Sequence, residues 1–262
     1  MSSPPALPPV VLCLSGHDPC GGAGIQADIE AVRAQGAHPA TIVTALTVQD
    51  SRNAYAVDAV DSRAIVEQAA LLLEDLPVAA IKLGLLGSAE NARAIAGLLA
   101  QHTQIPVVLD PVLRAGGGAA LADQALTDAI VEYLLSLATV MTPNLAEACL
   151  LAHPARTRED CAAFLIARGA RHVLITGGDA DNDDDVLNTL HGTGEAHHRT
   201  WPRLPYRYHG SGCTLAAALA ARLAHGDKLL DAAEVAQQYT WNSLQAAYRI
   251  GRGQHFPRRQ DF

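Results

Sequence analysis

A chain of 262 residues is long enough for one large domain, and its 49% hydrophobic residues can fill a complete core. Aromatic residues make up only 4%, so aliphatic side chains and alanine must supply most of the packing, which suits helices layered on a sheet. The formal net charge of −8 excludes the basic footprint of a nucleic-acid-binding protein. No polybasic stretch marks a membrane surface either.

Targeting and metal signals are equally sparse. No apolar run reaches the roughly 18 residues of a membrane span, and the Pro-rich residues 1–9 do not resemble a signal peptide. We therefore predict a disordered tail over 1–9, one domain over 10–262 and a soluble, cytoplasmic protein. Five irregularly spaced cysteines without C-x-x-C indicate reduced thiols, and 11 histidines without H-E-x-x-H give little support for zinc. The acidic run at 181–185 is interpreted as a surface turn rather than a metal loop.

Short β-branched runs alternate along the chain with amphipathic stretches of helical period. Predicted strands cover residues 10–14, 40–47, 78–83, 106–110, 139–142 and 171–176. Predicted helices cover 24–35, 64–74, 90–101, 123–137, 157–168, 214–225 and 231–249, and a polar pair at 186–191 and 195–200 is predicted to be antiparallel. This order implies a largely parallel sheet with helices on both faces, so ligands should bind beyond the carboxyl ends of the strands.

The segment Gly210-Ser211-Gly212-Cys213-Thr214 leads from a glycine-rich turn directly into a helix. Glycines allow close approach of the backbone, and the first N–H groups of a helix are unpaired, so such a turn binds anions, usually phosphate. An ordinary helix start with a serine cap is the alternative. The pKa of Cys213 should fall below the free value of about 8.5 at this position, which would make it a proton acceptor or a polar contact; a small buried side chain is the alternative.

Oxygen ligands follow two other strands. Asp110 comes after one, and Asn144 and Glu147 lie three apart at the helix start that follows another. Carboxylate and amide oxygens suit a hydrated magnesium ion. A helix cap with a dipole-compensating acid would explain Asn144 and Glu147 equally well.

Two further loops are rich in glycine. Residues 15–28 lack both G-x-G-x-x-G and G-x-x-x-x-G-K-[ST] spacing, but their glycines suit close packing around a small flat ligand. Asp28 lies in the first turns of the following helix, where a plain surface role is the alternative. Residues 114–119 contain three consecutive glycines and are interpreted as a mobile flap that excludes water, or else as a plain loop.

Together these segments resemble the ribokinase-like kinases, and more closely the hydroxymethylpyrimidine/phosphomethylpyrimidine kinases of the thiamin pathway. The matching stretches occur in the family's order over about four fifths of the chain. They are SGHDPCGGAGIQADI (15–29), TALTVQD (44–50), IKLGLLGS (81–88), VVLDPVLRAGGGAAL (107–121), TPNLAEA (142–148), VLITGGD (173–179) and HGSGCTLAAALAARLA (209–224).

The resemblance implies a three-layer α/β/α fold with a mostly parallel central sheet, assembled as a homodimer. It implies an enzyme that uses ATP and Mg²⁺ to phosphorylate the hydroxymethyl group of 4-amino-5-hydroxymethyl-2-methylpyrimidine. The same site would then convert the monophosphate into the diphosphate. Neither nucleic acid nor membrane is expected as a partner.

The resemblance also assigns roles to individual residues. Gly210, Ser211, Gly212 and Cys213 would form the catalytic anion hole, with Cys213 where sugar kinases of the superfamily carry an Asp base. The remaining assignments fall into three groups: Gly16, Gly22, Asp28, Gln49 and Val112 for the pyrimidine; Thr176, Gly178 and Asn144 for the nucleotide; and Asp110 and Glu147 for magnesium, through water.

The chain departs from the family pattern at two places. Thr176 stands where many members carry Lys, and Lys82 or Arg114 is a candidate for the missing charge. Cys20 stands where Ser is commoner. Two other functions stay open: a pyridoxal kinase, which also phosphorylates a hydroxymethyl group on an aromatic nitrogen ring, and a non-catalytic pyrimidine-binding protein on the same fold.

Overall fold

One nine-stranded sheet organises the protein, in a computed structural model that describes residues 7–178, 184–192 and 194–260. The strands are β1 (Val10–His17), β2 (His38–Gln49), β3 (Ala54–Ala59), β4 (Val78–Leu83), β5 (Val107–Leu109), β6 (Val140–Met141), β7 (Val173–Ile175), β8 (Asp185–His191) and β9 (His197–Pro202). Their order across the sheet is β3-β2-β1-β4-β5-β6-β7-β8-β9. Strands β2, β1, β4, β5, β6 and β7 are parallel to one another, whereas β3 at one edge and β8 and β9 at the other are paired antiparallel.

Helices cover both faces of this sheet, as the alternation of strands and helices predicted. The helices are α1 (Gly24–Ala34), α2 (Ser62–Asp75), α3 (Ala89–Leu99), α4 (Gln124–Ala129), α5 (Leu145–Leu151), α6 (Arg158–Ala167), α7 (Ser211–Ala224) and α8 (Leu229–Gln245). One core cluster packs α2 to α6 on the first face, and a second packs α1, α7 and α8 on the other. The predicted three-layer α/β/α class is therefore confirmed.

Helix α7 is the most enclosed helix in the described part of the chain, with nine consecutive buried residues from Cys213 to Ala221. Six of them are alanine or threonine, whose small side chains let the helix lie close to the sheet and to α1 and α8 at once. This packing fixes the position of the helix start at the carboxyl edge of the parallel strands.

Several predicted boundaries were wrong. Strand β1 continues to His17, and α7 begins at Ser211, so the first glycine loop is shorter and the second enters the helix earlier than predicted. The helix predicted over 123–137 is interrupted, since α4 is followed by a π turn (Ile130–Leu134) and a 3₁₀ turn (Leu135–Leu137). Strand β3 was missed because it is a short, exposed edge strand whose sequence, AYAVDA, lacks the alternation of apolar and polar residues that marks a strand.

The polar pair β8–β9 is antiparallel, as predicted. Residues 1–6 of the predicted tail and 181–183 of the acidic run lie outside the described residues, while Asp184 and Asp185 are exposed. No helix among the described residues is long and apolar enough to span a membrane.

Candidate active site

The predicted site residues gather at the carboxyl edge of the parallel strands. The loops after β1, β4, β5, β6 and β7 all open at this edge, and the start of α7 points to it because α7 packs beneath β1, β4 and β5. Chain topology therefore brings together segments that are up to 200 residues apart in sequence.

A buried ion pair lies at the centre of this edge. The Nζ of Lys82, on β4, lies 2.8 Å from Oδ1 of Asp28 on α1, and it also donates a hydrogen bond to Ser15 Oγ at 2.8 Å. Both charged side chains are fully buried. Burial alone would lower the pKa of Lys82, but the charges of Asp28, Cys213 and Asp110 outweigh it and raise that pKa. Asp28 is thus an interior residue, and its alternative surface role is excluded.

Asp110 follows β5 and faces the start of α7. A β-carbon built on Gly212 would lie 3.8 Å from Asp110 Oδ1, so the helix backbone approaches the carboxylate closely. Burial raises the pKa of Asp110 to about 6, with a further increase from Asp28, while Lys82 and a hydrogen bond from the Cys213 thiol act in the opposite direction. Its Oδ2 is buried without a hydrogen-bond partner among the described residues. A buried, unsatisfied carboxylate oxygen is an atom that a cation would satisfy.

Cys213 has a different ionisation from the one predicted. Burial raises its pKa to about 12, and the nearby carboxylates of Asp110 and Asp28 add to this increase. Lys82 and the backbone N–H of Gly24 lower the pKa but do not compensate. The prediction of a pKa below the free value was wrong, because the helix N-terminus competes with complete desolvation and with two carboxylates. The side chain is a protonated thiol at neutral pH.

The start of α7 has the backbone of an anion site. Gly210 is in the left-handed conformation, with φ +69°, and it precedes the helix without a side-chain cap. A β-carbon at Gly210 would collide with the carbonyl oxygen of Gly22, so the two glycine loops touch at a point that admits no side chain. Among the described residues, the N–H groups of Ser211, Gly212 and Cys213 have no acceptor. These three donors remain available to a ligand.

Asp18 organises the first glycine loop. Its carboxylate accepts hydrogen bonds from the backbone N–H groups of Cys20, Gly22 and Ala23 at 2.8–2.9 Å. Burial acts to raise the pKa of Asp18. Hydrogen bonds from the side chains of His209, Cys20 and Gln49 outweigh burial and hold this pKa well below its ordinary value. Gln49, at the end of β2, therefore lies beside this loop.

A C-terminal segment that carries no recognisable sequence motif closes the same region. Arg259 is 4% exposed. Its guanidinium donates hydrogen bonds to Thr214 Oγ1 at 2.8 Å, to Glu30 Oε2 at 3.1 Å and to the carbonyl oxygen of Gly22. It thus joins the glycine loop, α1 and the first turns of α7. No signal in the sequence distinguishes Arg259 from its neighbour Arg258, because burial arises only in the folded chain.

Asn144 and Glu147 form the cap that was the alternative to a magnesium site. Asn144 Oδ1 accepts from the Glu147 N–H at 2.8 Å, and Glu147 Oε2 accepts from the Asn144 N–H at 3.1 Å. Glu147 Oε1 also accepts from the Leu113 N–H at 3.2 Å, which ties α5 to the segment after Asp110. Glu147 therefore caps α5 and anchors the segment after Asp110, while its contact with a hydrated magnesium ion stays a prediction.

The other predicted residues lie near the ends of β1, β5 and β7. Gly16, at the end of β1, and Gly22, in the loop that follows it, are buried, and Val112 is half-buried after Asp110. Thr176 and Gly178 follow β7, where Thr176 forms a bridge to Asn144. The flap is a tight turn in which the Ala115 N–H donates to the Ala119 carbonyl oxygen at 2.8 Å.

The positively charged side chains near Thr176 are not Lys82 and Arg114, the two candidates from the sequence. Lys82 is held by Asp28, and Arg114 is exposed on the flap. Arg158 donates to the Ile175 carbonyl oxygen at 2.8 Å, and Arg203 donates to that of Gly178 at 3.2 Å. Two guanidinium groups therefore flank the loop that lacks the expected lysine.

Known proteins are similar to this chain in both architecture and sequence. A family model described as phosphomethylpyrimidine kinase matches residues 18–258. The hydroxymethylpyrimidine/phosphomethylpyrimidine kinase of Streptomyces coelicolor is 38% identical over 96% of this chain and 94% of its own. The pyridoxal kinase of Bacillus subtilis, solved with ADP, superimposes with a TM-score of 0.87 at 28% identity, covering 97% of this chain and 98% of that one. A phosphomethylpyrimidine kinase from Clostridium difficile superimposes with a TM-score of 0.76 at 28% identity, covering 88% and 97%.

Proposed function

Because the chain belongs to the phosphomethylpyrimidine kinase family, we propose that it transfers the terminal phosphoryl group of ATP to 4-amino-5-hydroxymethyl-2-methylpyrimidine. A second transfer to the resulting monophosphate then gives the diphosphate, as a step of thiamin biosynthesis. The observation that carries this proposal is the uncapped start of α7, with three backbone donors directed at the edge where Asp110, Asp28 and Lys82 meet.

The start of α7 and the side chains around it have different roles in the proposed phosphoryl transfer. The N–H groups of Ser211, Gly212 and Cys213 neutralise charge on the moving phosphoryl group, since they are fixed before the reaction begins. Gly210 permits the close approach that this requires. In-line transfer needs little covalent chemistry from the protein, so positioning and charge stabilisation account for catalysis.

Magnesium fits the oxygen ligands at this edge. Asp110, with its unsatisfied Oδ2, would hold the ion together with Glu147, in part through water, and Asn144 lies beside them. When bound, Mg²⁺ supplies positive charge to the phosphate oxygens.

Cys213 orients the acceptor hydroxyl. A thiol with a pKa of about 12 is a hydrogen-bond donor at neutral pH, and it becomes a base only in its rare ionised form. The acceptor of the second step is already an anion, so Cys213→Ala should slow the first transfer more than the second. Phosphorus NMR of ATP, Mg²⁺ and either acceptor measures both products directly. Equal losses in the two steps would refute a special role for Cys213 in the first.

Gly16, Gly22, Asp28, Gln49 and Val112 form the proposed pyrimidine pocket. Gln49 is the most testable member, because its amide can pair with the aminopyrimidine edge. Gln49→Ala should raise the KM for the pyrimidine and leave the KM for ATP unchanged. Thr176, Gly178 and Asn144 form the proposed nucleotide contact, supported by the guanidinium groups of Arg158 and Arg203 nearby.

Pyridoxal kinase is the second candidate function, favoured by the TM-score of 0.87 to the Bacillus subtilis enzyme. Coupled assays with pyridoxal and with the hydroxymethylpyrimidine, run side by side, distinguish the two through kcat/KM. A calorimetric titration that shows pyrimidine binding without any phosphorylated product would instead indicate the non-catalytic alternative.

A homodimer is proposed through the outer face of β2 and β3. Leu46 and Val48, two residues apart on β2, are 52% and 57% exposed, and Tyr55 on β3 is 61% exposed, which is unusual for large apolar side chains. Light scattering of the wild type and of Val48→Asp tests this, since a charge at a paired face should release monomers. The five free cysteines support a reducing, cytoplasmic location.

A further inference from the structure

Three side chains of different chemistry converge beside the glycine loop. Cys20 Sγ lies 2.9 Å from Asp18 Oδ1, His209 Nε2 lies 2.8 Å from Asp18 Oδ2, and Cys20 Sγ lies 3.5 Å from His209 Nε2. Asp18 and Cys20 come from the loop after β1, whereas His209 lies 189 residues beyond Cys20 in the chain, just before the start of α7. Among the described residues, this is the only group of three or more ligand-type side chains with their ligand atoms within 4.8 Å.

The surroundings hold this group, the Asp18–Cys20–His209 cluster, in a fixed geometry. Asp18 is 2% exposed and His209 is 8% exposed, so two of the three ligands are inside the protein. Three backbone N–H groups orient the Asp18 carboxylate, and the ring of Phe256 packs edge-on against His209 with centroids 5.6 Å apart. Cys20 is half-buried and gives the cluster its route to solvent.

The two contacts that Asp18 makes within the cluster are those that a metal ion can replace. Without a metal, one hydrogen lies between Cys20 Sγ and Asp18 Oδ1, and another lies between His209 Nε2 and Asp18 Oδ2. The backbone bonds to Asp18 do not involve these hydrogens and can remain. When a metal binds, the Cys20 proton leaves to solvent, and a neutral His209 carries its proton on Nδ1 and presents the Nε2 lone pair.

We propose that Asp18, Cys20 and His209 form a site for Zn²⁺, with water as the fourth ligand. Zinc takes thiolate, imidazole and carboxylate ligands at about 2.0–2.3 Å in tetrahedral geometry, which places the ligand atoms about 3.3–3.7 Å apart. The cluster therefore needs to open by less than about 1 Å. Thiolate and imidazole select against magnesium, whose proposed ligands at Asp110 and Glu147 are all oxygen.

Zinc at this site joins the two loops that the proposed reaction uses. Asp18 and Cys20 belong to the first glycine loop, and His209 directly precedes Gly210. The bound ion fixes the distance between these segments, so zinc should raise the melting temperature of the whole chain as well as occupy the site.

Metal content and cobalt spectroscopy test the site without any measurement of kinase activity. The untagged full chain is stripped with a chelator, dialysed against Zn²⁺ and analysed for bound metal. Co²⁺ then replaces zinc, because a cobalt–thiolate bond gives a near-ultraviolet charge-transfer band. We expect one equivalent of zinc in the wild type, together with that band. Excess Mg²⁺ should leave both unchanged.

Cys20→Ser is the test variant, since it exchanges only the sulfur atom for oxygen. Its zinc affinity should fall by at least about tenfold, since even partners outside the ligand shell usually contribute that much, and the charge-transfer band should vanish. Cys149→Ser is the matched control, because Cys149 is also half-buried and lies 3.6 Å from another thiol, Cys161. Its zinc content and spectrum should match the wild type.

The outcomes separate cleanly. Unchanged zinc affinity and an unchanged band in Cys20→Ser overturn the proposal, as does loss of the band in Cys149→Ser alone. Displacement of the bound zinc by Mg²⁺ would also overturn it. Since every readout is bound metal, failure of the proposed kinase reaction would leave these results unaffected.

Discussion

Asp110→Asn should stabilise the protein at neutral pH while abolishing phosphoryl transfer. The carboxylate is buried with an unsatisfied oxygen, and its pKa rises from 3.8 to about 6 on folding. The folded state therefore holds a proton that the unfolded chain releases between pH 4 and pH 6, so the wild type loses stability as pH rises through this window. The amide of Asn does not ionise, so Asp110→Asn does not lose stability over this pH range.

The size of the effect follows from the shift. About two pKa units at 1.36 kcal/mol each correspond to about 3 kcal/mol, of which about a third is already lost at pH 4.5 because the unfolded chain is mostly ionised there. The stability advantage of Asp110→Asn over the wild type should grow by about 2 kcal/mol between pH 4.5 and pH 8.

Urea unfolding at several pH values measures this difference. Asp58→Asn is the control, because it makes the same substitution at an exposed carboxylate on β3. A pH-independent difference between Asp110→Asn and the wild type would refute the raised pKa. The same samples test the proposed role in magnesium binding, since Mg²⁺ with ADP should stabilise the wild type but not the variant.

Three further changes probe the neighbouring groups. Lys82→Met should lower the unfolding free energy by about 3–5 kcal/mol, because it leaves the charge of Asp28 buried and unpaired. The double variant Lys82→Met/Asp28→Asn should recover part of that loss. Equal losses in the single and the double variant would contradict a stabilising ion pair. Arg259→Lys should lower the unfolding free energy, measured in urea, by about 1–3 kcal/mol, because an ammonium group cannot reach Gly22, Thr214 and Glu30 together. An unchanged unfolding free energy would mean that the C-terminal segment does not hold the two loops together. Iodoacetamide at pH 7.5 should alkylate Cys213 more slowly than a free cysteine by on the order of a thousandfold, because the pKa of its thiol is raised to about 12. Peptide mass spectrometry measures this rate. Rapid labelling would show that the thiol is ionised.

The sequence could predict the layers and the edge of the sheet at which the candidate site residues lie. Strand and helix periodicity identified the parallel strands β1, β4, β5, β6 and β7, because buried strands are apolar on both faces and short. Once the sheet is parallel, the loops at its carboxyl edge must carry the ligands, so Asp110, Asn144, Glu147 and Gly210–Cys213 could be nominated from local patterns alone. The exposed edge strand β3 could not, because four of its six residues are exposed and its sequence does not alternate between apolar and polar residues.

The chemistry of those residues depended on contacts that no local pattern encodes. The sequence determined that Cys213 begins a helix, which by itself lowers a thiol pKa, but the packing of α7 under β1, β4 and β5 buried that thiol beside two carboxylates and reversed the shift. Likewise, Lys82 was a loose candidate for a phosphate contact until the fold placed it against Asp28, and Asp18, Cys20 and His209 had no metal spacing until two distant loops met. Periodicity is a local property of the sequence. Burial and the proximity of charges depend on residues that are distant in sequence and close in space, so only the tertiary structure could determine them.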